Sequence, residues 1–446
     1  MSTSLAIRSR RVVLPDGMRP ASIDIRDGRI VDVRDYGAPP AGVREMDAGD
    51  LVVLPGLVDS HVHINDPGRA DWEGFEHATK AAAAGGVTTL VDMPLNSIPP
   101  TTDVAGLEAK RTAAAGTCHV DVGFWGGVVP GNSGALESLA RAGVLGFKCF
   151  LSPSGVEEFS HVTEQDLRAA MPILARLGLP LLAHAEWPPL LRVPAGDPRC
   201  YATWLDSRPP ASELAAIERL VRLAGEYGAR VHIVHLASAG ALTALRKARA
   251  AGLAISVETC PHYLSFAAEE IPEGATAFKC APPIRERDHR ERLWQALDDG
   301  DIDLIATDHS PSPPALKRLA AGDFLGAWGG IASLQLGLAA VWTVASARGV
   351  SIATLARWLS RAPAHLGGLD SVKGAVAIGR DADLVIWDPD AVTTVDAARL
   401  YHRHPVTPYH GLRLRGVVRT TILRGEVVFD DGECLPARHG RLVARF

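Results

Sequence analysis

Leu51-Val52-Val53-Leu54-Pro55-Gly56-Leu57-Val58-Asp59-Ser60-His61-Val62-His63 is an apolar, β-branched run that ends in two histidines. A run of this kind reads as a strand buried on both faces, the type found in parallel sheets. Residues two apart on a strand project to one side, so His61 and His63 point together. Outward from this stretch, to about Gly368, one theme repeats: a short apolar run, a polar or glycine-containing loop, then an amphipathic helical stretch ending in glycine. The further strand candidates are Val87 to Met93, His119 to Gly126, Leu145 to Leu151, Pro180 to Glu186, Arg230 to Ala237, Ala254 to Cys260 and Asp303 to Asp308. Helical stretches between them include Glu76 to Ala84, Glu164 to Leu177, Ser212 to Tyr227, Ala239 to Ala251 and Arg290 to Leu297. Alternating strand and helix means parallel strands joined by crossovers, and eight rounds is the number that closes an α/β (β/α)8 barrel.

The grammar changes on both flanks to short alternating strands with turn signals at Pro15-Asp16-Gly17, Arg26-Asp27-Gly28 and Asp431-Gly432. Neither flank is long enough to cover its own apolar face. The expectation is a small discontinuous β-sandwich built from residues 1–54 and 374–446, around a barrel spanning 55–373. Trp187 to Pro210 and the Pro-rich Pro311 to Pro314 read as loops over the site. Trp187 and Trp204 are expected to cap a pocket or bury at a subunit contact.

Bulk composition narrows the function. With 47% hydrophobic and 22% charged residues there is ample material for a large core. Net charge is −5 and no stretch concentrates Lys and Arg, so the footprint of nucleic-acid binding is missing and a small-molecule substrate is expected. The six cysteines form no C-x-x-C pair, which suits reduced thiols and a cytoplasmic location. The N-terminal residues reach charge before any signal-like apolar run. Gly329 to Ala347 carries Ser333, Gln335, Thr343 and Ser346 and is read as a buried helix, so no membrane partner is expected.

The strand ends carry the chemistry. Lys148 lies within Gly146-Phe147-Lys148-Cys149-Phe150-Leu151, where a buried ammonium would cost several kcal/mol unless paired or modified. Two readings stand side by side. Lys148 forms a salt bridge with an inward carboxylate, or its neutral amine takes up CO2 and becomes a carbamate whose two oxygens bridge two metal ions. His184 and His235 each end a strand candidate, and Asp308 closes the eighth. His232, three residues from His235, faces the other way and reads as a packed or surface residue. His309 alternates away from Asp308 and reads as a supporting neighbour, while His262 reads equally as a substrate contact or a satisfied structural histidine. Four histidines, a lysine and an aspartate thus gather at the C-terminal ends of five strands, the face on which barrels of this type place their chemistry. His61, His63 and Asp308 would hold one ion, His184 and His235 a second, with Lys148 between. Two divalent ions with nitrogen and oxygen ligands suit Zn2+ best, with iron, manganese, cobalt and nickel as alternatives.

These residues resemble the cyclic amidohydrolases, a metal-dependent superfamily that includes dihydroorotases, hydantoinases and allantoinases. The resemblance rests on Pro55 to His63, Gly85-Gly86-Val87-Thr88-Thr89, the Lys, His, His and Asp positions above, and Ala382-Asp383-Leu384-Val385-Ile386. It implies a binuclear centre bridged by carboxylated Lys148, with Lys148 and Asp308 as the catalytic pair, and a homotetramer is the assembly expected from it. Ile64-Asn65-Asp66-Pro67-Gly68-Arg69, Trp72-Glu73-Gly74-Phe75, Asp92 to Ser97 and Asp308 to Pro314 are similar to the allantoinase branch. That branch opens (S)-allantoin hydrolytically to allantoate, a step of purine catabolism. The alternative is a hydantoinase or dihydropyrimidinase, which shares every ligand. Asn65 stands where dihydroorotases carry the arginine that pairs with a substrate carboxylate, and a neutral amide there suits a substrate without one. Asn96 and Ser310 are expected on the ureido and ring edges, and the backbone near Ala281 on the ring amide. Asp66 in place of the usual Glu, and Ala281 in place of a frequent Ser, depart from the branch pattern.

Overall fold

A computed structural model describes residues 4–39 and 42–445. Eight parallel strands form the barrel: Leu57–Val62, Val87–Asp92, Asp121–Phe124, Phe147–Phe150, Leu181–His184, Val231–Ile233, Ile255–Thr259 and Leu304–Ile305. Each pairs in parallel with the next, except at the step from the third to the fourth. The third strand breaks at Trp125 and resumes as Gly126–Gly127, which pairs with the fourth. Closure between the last strand and the first comes from a single parallel bridge, Val62 to His309, with the His63 amide donating to the His309 carbonyl at 2.8 Å. Beneath that bridge the Asp59 carboxylate accepts from the Thr307 hydroxyl at 2.6 Å and from the Thr307 amide at 3.2 Å, which fastens the first strand to the eighth.

Crossover helices follow the amphipathic stretches. Glu164–Leu177 opens with a reciprocal Thr163/Asp166 capping box and buries Leu167, Ala170, Met171 and Leu174 against the strands. Pro210–Tyr227 and Arg287–Asp299 run slightly longer than the periodicity predicts. Gly337–Ala347 is a buried helix whose Trp342 indole donates to the Pro389 carbonyl at 2.9 Å. Among the described residues no helix is long and apolar enough to cross a membrane.

Leu51 to His63 is not one strand. Val52–Pro55 joins a second sheet and Leu57–Val62 enters the barrel, with the change of partner at Gly56. The Gly56 amide donates to the Asp383 carbonyl at 2.7 Å, and a β-carbon there would lie 2.2 Å from the Thr88 hydroxyl oxygen. The chain can turn from one sheet into the other only where no side chain exists. Hydrophobicity is continuous across this point, so the apolar pattern ran Leu51 to His63 together although Pro55-Gly56 is a turn signal.

The second sheet has nine strands. Its path runs Glu433–Cys434, Glu426–Asp430, Arg413–Leu423, Leu384–Thr394, Val52–Pro55, Ser4–Leu14, Gly17–Arg26, Arg29–Arg34, with Arg44–Asp47 beside Ser4–Leu14. Val52–Pro55 is the splice between the two ends of the chain, antiparallel to Leu384–Trp387 and parallel to Arg11–Val12. The sheet has its own apolar core, including Ile7, Val12, Ile23, Val53, Leu384 and Ile422. At the base of the barrel the Lys373 ammonium pairs with Asp121 at 2.6 Å, Asp383 at 2.7 Å and Asp381 at 2.9 Å. Arg424 also reaches Asp121. These three carboxylates converge closely enough to hold a cation, and the lysine already is that cation.

Trp187 to Pro210 is less irregular than its composition suggests. It contains the helix Tyr201–Ser207, whose Tyr201 hydroxyl donates to the Ile284 carbonyl at 3.0 Å. Its proline-flanked ends hid a segment held by tertiary contacts.

Candidate metal centre

The strands deliver all six predicted side chains to one rim. His61 Nε2 lies 3.2 Å and His63 Nε2 3.4 Å from Asp308 Oδ1. His184 Nδ1 lies 3.1 Å from His235 Nε2, and the His61 and His235 rings are 5.4 Å apart. Lys148 is fully buried. Its Nζ has no hydrogen-bond partner among the described residues, and the Phe150 ring centroid lies 4.8 Å away. Among the described residues Lys148 forms no salt bridge, the other reading offered from the sequence.

Two of the four imidazoles, His61 and His184, are aimed by a carboxylate behind them. His61 Nδ1 contacts Glu258 Oε1, which directs Nε2 inward. The other Glu258 oxygen lies 3.0 Å from His232 Nε2, His232 Nδ1 lies 2.8 Å from the Ser256 hydroxyl, and the His235 amide donates to Glu258 at 3.3 Å. His184 Nε2 sits 2.7 Å from Glu186, whose carboxylate also receives the Arg208 guanidinium through both oxygens. Fixing one ring nitrogen in this way leaves the other with its lone pair facing the centre. His232 is therefore packed, and it also shares the anion that orients His61.

The electrostatics favour Lewis bases stripped of protons. Burial pushes His63 down and His235 well down, so both rings are neutral at neutral pH. Burial brings Lys148 down to about 8, within reach of the free amine that can add to CO2. Burial alone would raise Asp308, but the surrounding imidazoles of His61, His63 and His235 hold it well below the usual carboxylate range. Glu186 is held low against the same burial by Arg208 and His184. An orphaned buried amine, two imidazole nitrogens 3.1 Å apart with no shared proton required, and a His-His-carboxylate cluster fit a pair of divalent cations.

Backbone strain gathers at the same rim. His235 (φ 39°), Asp308 (φ 47°), Asn65 (φ 66°) and Asn96 (φ 64°) all occupy the left-handed region, at a cost of order 1–3 kcal/mol each where the residue is not glycine.

Above the donors lies a cavity of about 260 Å³. Asn96, Ser310 and Ala281 line it, as do Phe150, Trp204 and Trp328. Ser310 Oγ donates to Asp308 Oδ1 at 3.0 Å. Asn65 is not part of this lining. Its side chain accepts from Asn96 Nδ2 at 3.1 Å and so stands behind Asn96. Arg69 donates to the Asn96 carbonyl at 2.7 Å and pairs with Glu158, tying two rim loops together. Trp204 caps the pocket, with its indole donating to the Cys280 carbonyl at 3.0 Å and the Lys279 ammonium 4.2 Å from its ring. Trp187 stays away from the cavity, stacked 3.8 Å beneath Arg219. His309 faces away, its Nδ1 accepting from the Ser333 and Leu334 amides. His262 is fully buried, and neither ring nitrogen finds a partner among the described residues.

Glu258, Glu186 with Arg208, Phe150 and Lys279 went unnoticed in the sequence. Glu186 sits two residues beyond His184, on the same side of the strand, and Glu258 is the one anion in an otherwise uncharged seventh strand. Those placements were the available signals. Phe150 stacks on His184 with centroids 4.6 Å apart, a contact no spacing announces.

The sequence profile of the amidohydrolase family matches residues 52–428. The chain is 52% identical to an allantoinase of Streptomyces avermitilis over 99% of its length and 98% of that protein. It is 47% identical to an allantoinase of Arabidopsis thaliana, covering 96% and 88% of the two chains. Among solved structures it superposes on an L-hydantoinase (dihydropyrimidinase) from Arthrobacter aurescens with a TM-score of 0.94 at 31% identity, covering 99% of both chains.

Proposed function

The chain belongs to the amidohydrolase family, and within it we propose that its reaction is the hydrolytic opening of the allantoin ring to allantoate. The observation that carries the substrate is the 52% identity to an allantoinase over 98% of that protein's length. The hydantoinase likeness at 31% identity supports the reaction class and a cyclic amide substrate. A cavity of about 260 Å³ suits a small substituted ring, since drug-sized ligands occupy roughly 300–1,000 Å³.

His61, His63 and Asp308 would hold one divalent cation, His184 and His235 the other, and Lys148 would bridge them as its CO2-derived carbamate. Zn2+ is the ion we favour for this thiolate-free set. Once bound, the pair supplies Lewis acidity for a ring carbonyl and water ionised near pH 7.

The protein's own groups do the rest. Asp308 is the nearest carboxylate base at the rim, and it takes a proton from the attacking water and hands it to the departing ring nitrogen. Ser310, hydrogen-bonded to Asp308 at 3.0 Å, orients that carboxylate and meets the substrate edge. Asn96 addresses the ureido group, with Asn65 and Arg69 fixing its position. The backbone at Ala281 serves the ring amide, and Phe150, Trp204 and Trp328 keep bulk water off the reacting face. Allantoin has no carboxylate, which fits a pocket whose cations Arg208 and Lys279 are both already engaged by the protein. The six free cysteines suit a reducing cytoplasm, and we expect a homotetramer.

The test is product identification with the purified protein. Allantoin, hydantoin, dihydrouracil and dihydroorotate are supplied separately, with elemental analysis alongside. Allantoate formed fastest supports the proposal, whereas faster opening of dihydrouracil would make the chain a dihydropyrimidinase.

A further inference from the structure

Asp308 belongs to two sets of donors, and the reaction uses only one. Besides the cluster with His61 and His63, donor atoms of Cys260, His262 and Asp308 all lie within 4.8 Å of one another. All three residues are buried, Cys260 and His262 completely. Cys260 ends the seventh strand and His262 stands in the short helix Pro261–Ser265 that follows, so one turn of chain presents thiol and imidazole together. The second observation is independent of that clustering. Both ring nitrogens of His262 are buried without a hydrogen-bond partner among the described residues. A buried polar ring without a protein partner carries a free-energy cost that a ligand would relieve.

We infer that Cys260, His262 and Asp308 form a third cation site, selective for a soft divalent ion, whose filling inhibits the enzyme. Thiolate, imidazole and carboxylate together suit Zn2+ or Cd2+. The thiol separates this set chemically from the nitrogen and oxygen donors of the catalytic pair. When the ion binds, the Cys260 S–H bond breaks, the proton leaves to solvent and the sulfur–metal bond forms in its place. His262 contributes its lone pair and Asp308 an oxygen. No electrons are transferred. Asp308 is then engaged by an additional cation and can no longer carry the proton that ring opening requires. Cys260 and His262 do not line the cavity, whereas Asp308 does, so the ion arrives past Asp308. The inhibitory consequence rests on the proposed reaction. The binding itself does not.

The experiment uses the holoenzyme with its own metals in place, titrated with Cd2+. One further equivalent is expected to survive desalting while the native metals stay. A thiolate-to-cadmium charge-transfer band should appear, and allantoin turnover should fall at least tenfold in step with it. Cys260→Ser should keep basal turnover, lose that increment of the band and resist cadmium. His262→Gln keeps the thiol and should weaken cadmium retention at least tenfold, which preserves the test if the serine variant fails to fold. Exposed Cys200 takes up cadmium in every protein and cancels in the comparison. Equal uptake and equal inhibition in wild type and both variants would overturn the site, as would cadmium entering only by displacing the native metals. A retained third ion that leaves turnover untouched would overturn the inhibition. Absence of allantoin turnover before any cadmium is added would strike the proposed reaction and leave the binding comparison intact.

Discussion

Lys148 and Lys373 are both buried lysines of one barrel, and they live in opposite company. Lys373, at the base, meets three carboxylates at 2.6 to 2.9 Å, and their attraction outweighs burial and raises its pKa. Lys148, at the rim, has no hydrogen-bond partner among the described residues, and burial lowers it to about 8. The first is a charge fully answered by the fold, which closes the barrel against the outer sheet. The second is a charge the fold leaves unanswered, and an unanswered buried amine is a place where a neutral, reactive form is favoured. Burial alone therefore says little about a lysine's role. What faces it decides.

Replacing the rim lysine should produce the largest effect. Lys148→Ala is expected to lose turnover entirely and most of its metal, and short carboxylic acids should restore part of both. Full metal content in that variant without any additive would break the comparison. Asp308→Asn should follow, with turnover falling roughly 10²–10⁴-fold, the size of a lost acid–base group, while metal remains bound. Near-native turnover there would remove the proton-carrying role. The base lysine should fail in another currency. Lys373→Met leaves three carboxylates facing one another, and we expect about 3–5 kcal/mol less stability in denaturant unfolding with unchanged kcat in the folded fraction. Arg208→Ala should cost least, about 10–100-fold in metal affinity through loss of the group that holds Glu186 against His184, read by competition with a chelator. A pH series sharpens the contrast further. Lys148 has a folded pKa lowered from 10.5 to about 8, so in the metal-free protein its penalty is complete below pH 8 and disappears as pH rises toward 10.5. Metal-free wild type should accordingly gain stability relative to Lys148→Met across that window in CO2-free buffer.

The sequence exposed those features that obey a period. Strand–helix alternation and histidines placed at strand ends depend on local spacing, so the barrel and its inward donors could be read directly. Lys148 stood out because an ammonium interrupts an apolar strand. Partnerships between distant segments have no such trace. Glu258 reaches His61 across 197 residues, and Arg285 reaches Glu213 across 72, so nothing near either carboxylate marks it as more than a charged residue. Asn65 illustrates the reverse error. Its position in the strand-one loop was legible, but its positive φ and its bond to Asn96 turn it behind the pocket wall. The strand reading passed over the turn signal Pro55-Gly56 because hydrophobic patterning reports burial and not which sheet does the burying.

That one glycine has a thermodynamic consequence. Val52–Pro55 and Leu57–Val62 leave no slack between the outer sheet and the segment bearing His61 and His63. The two layers should melt as one cooperative unit, so ions captured at the barrel mouth would protect amide protons in strands such as Leu384–Thr394 that never touch them.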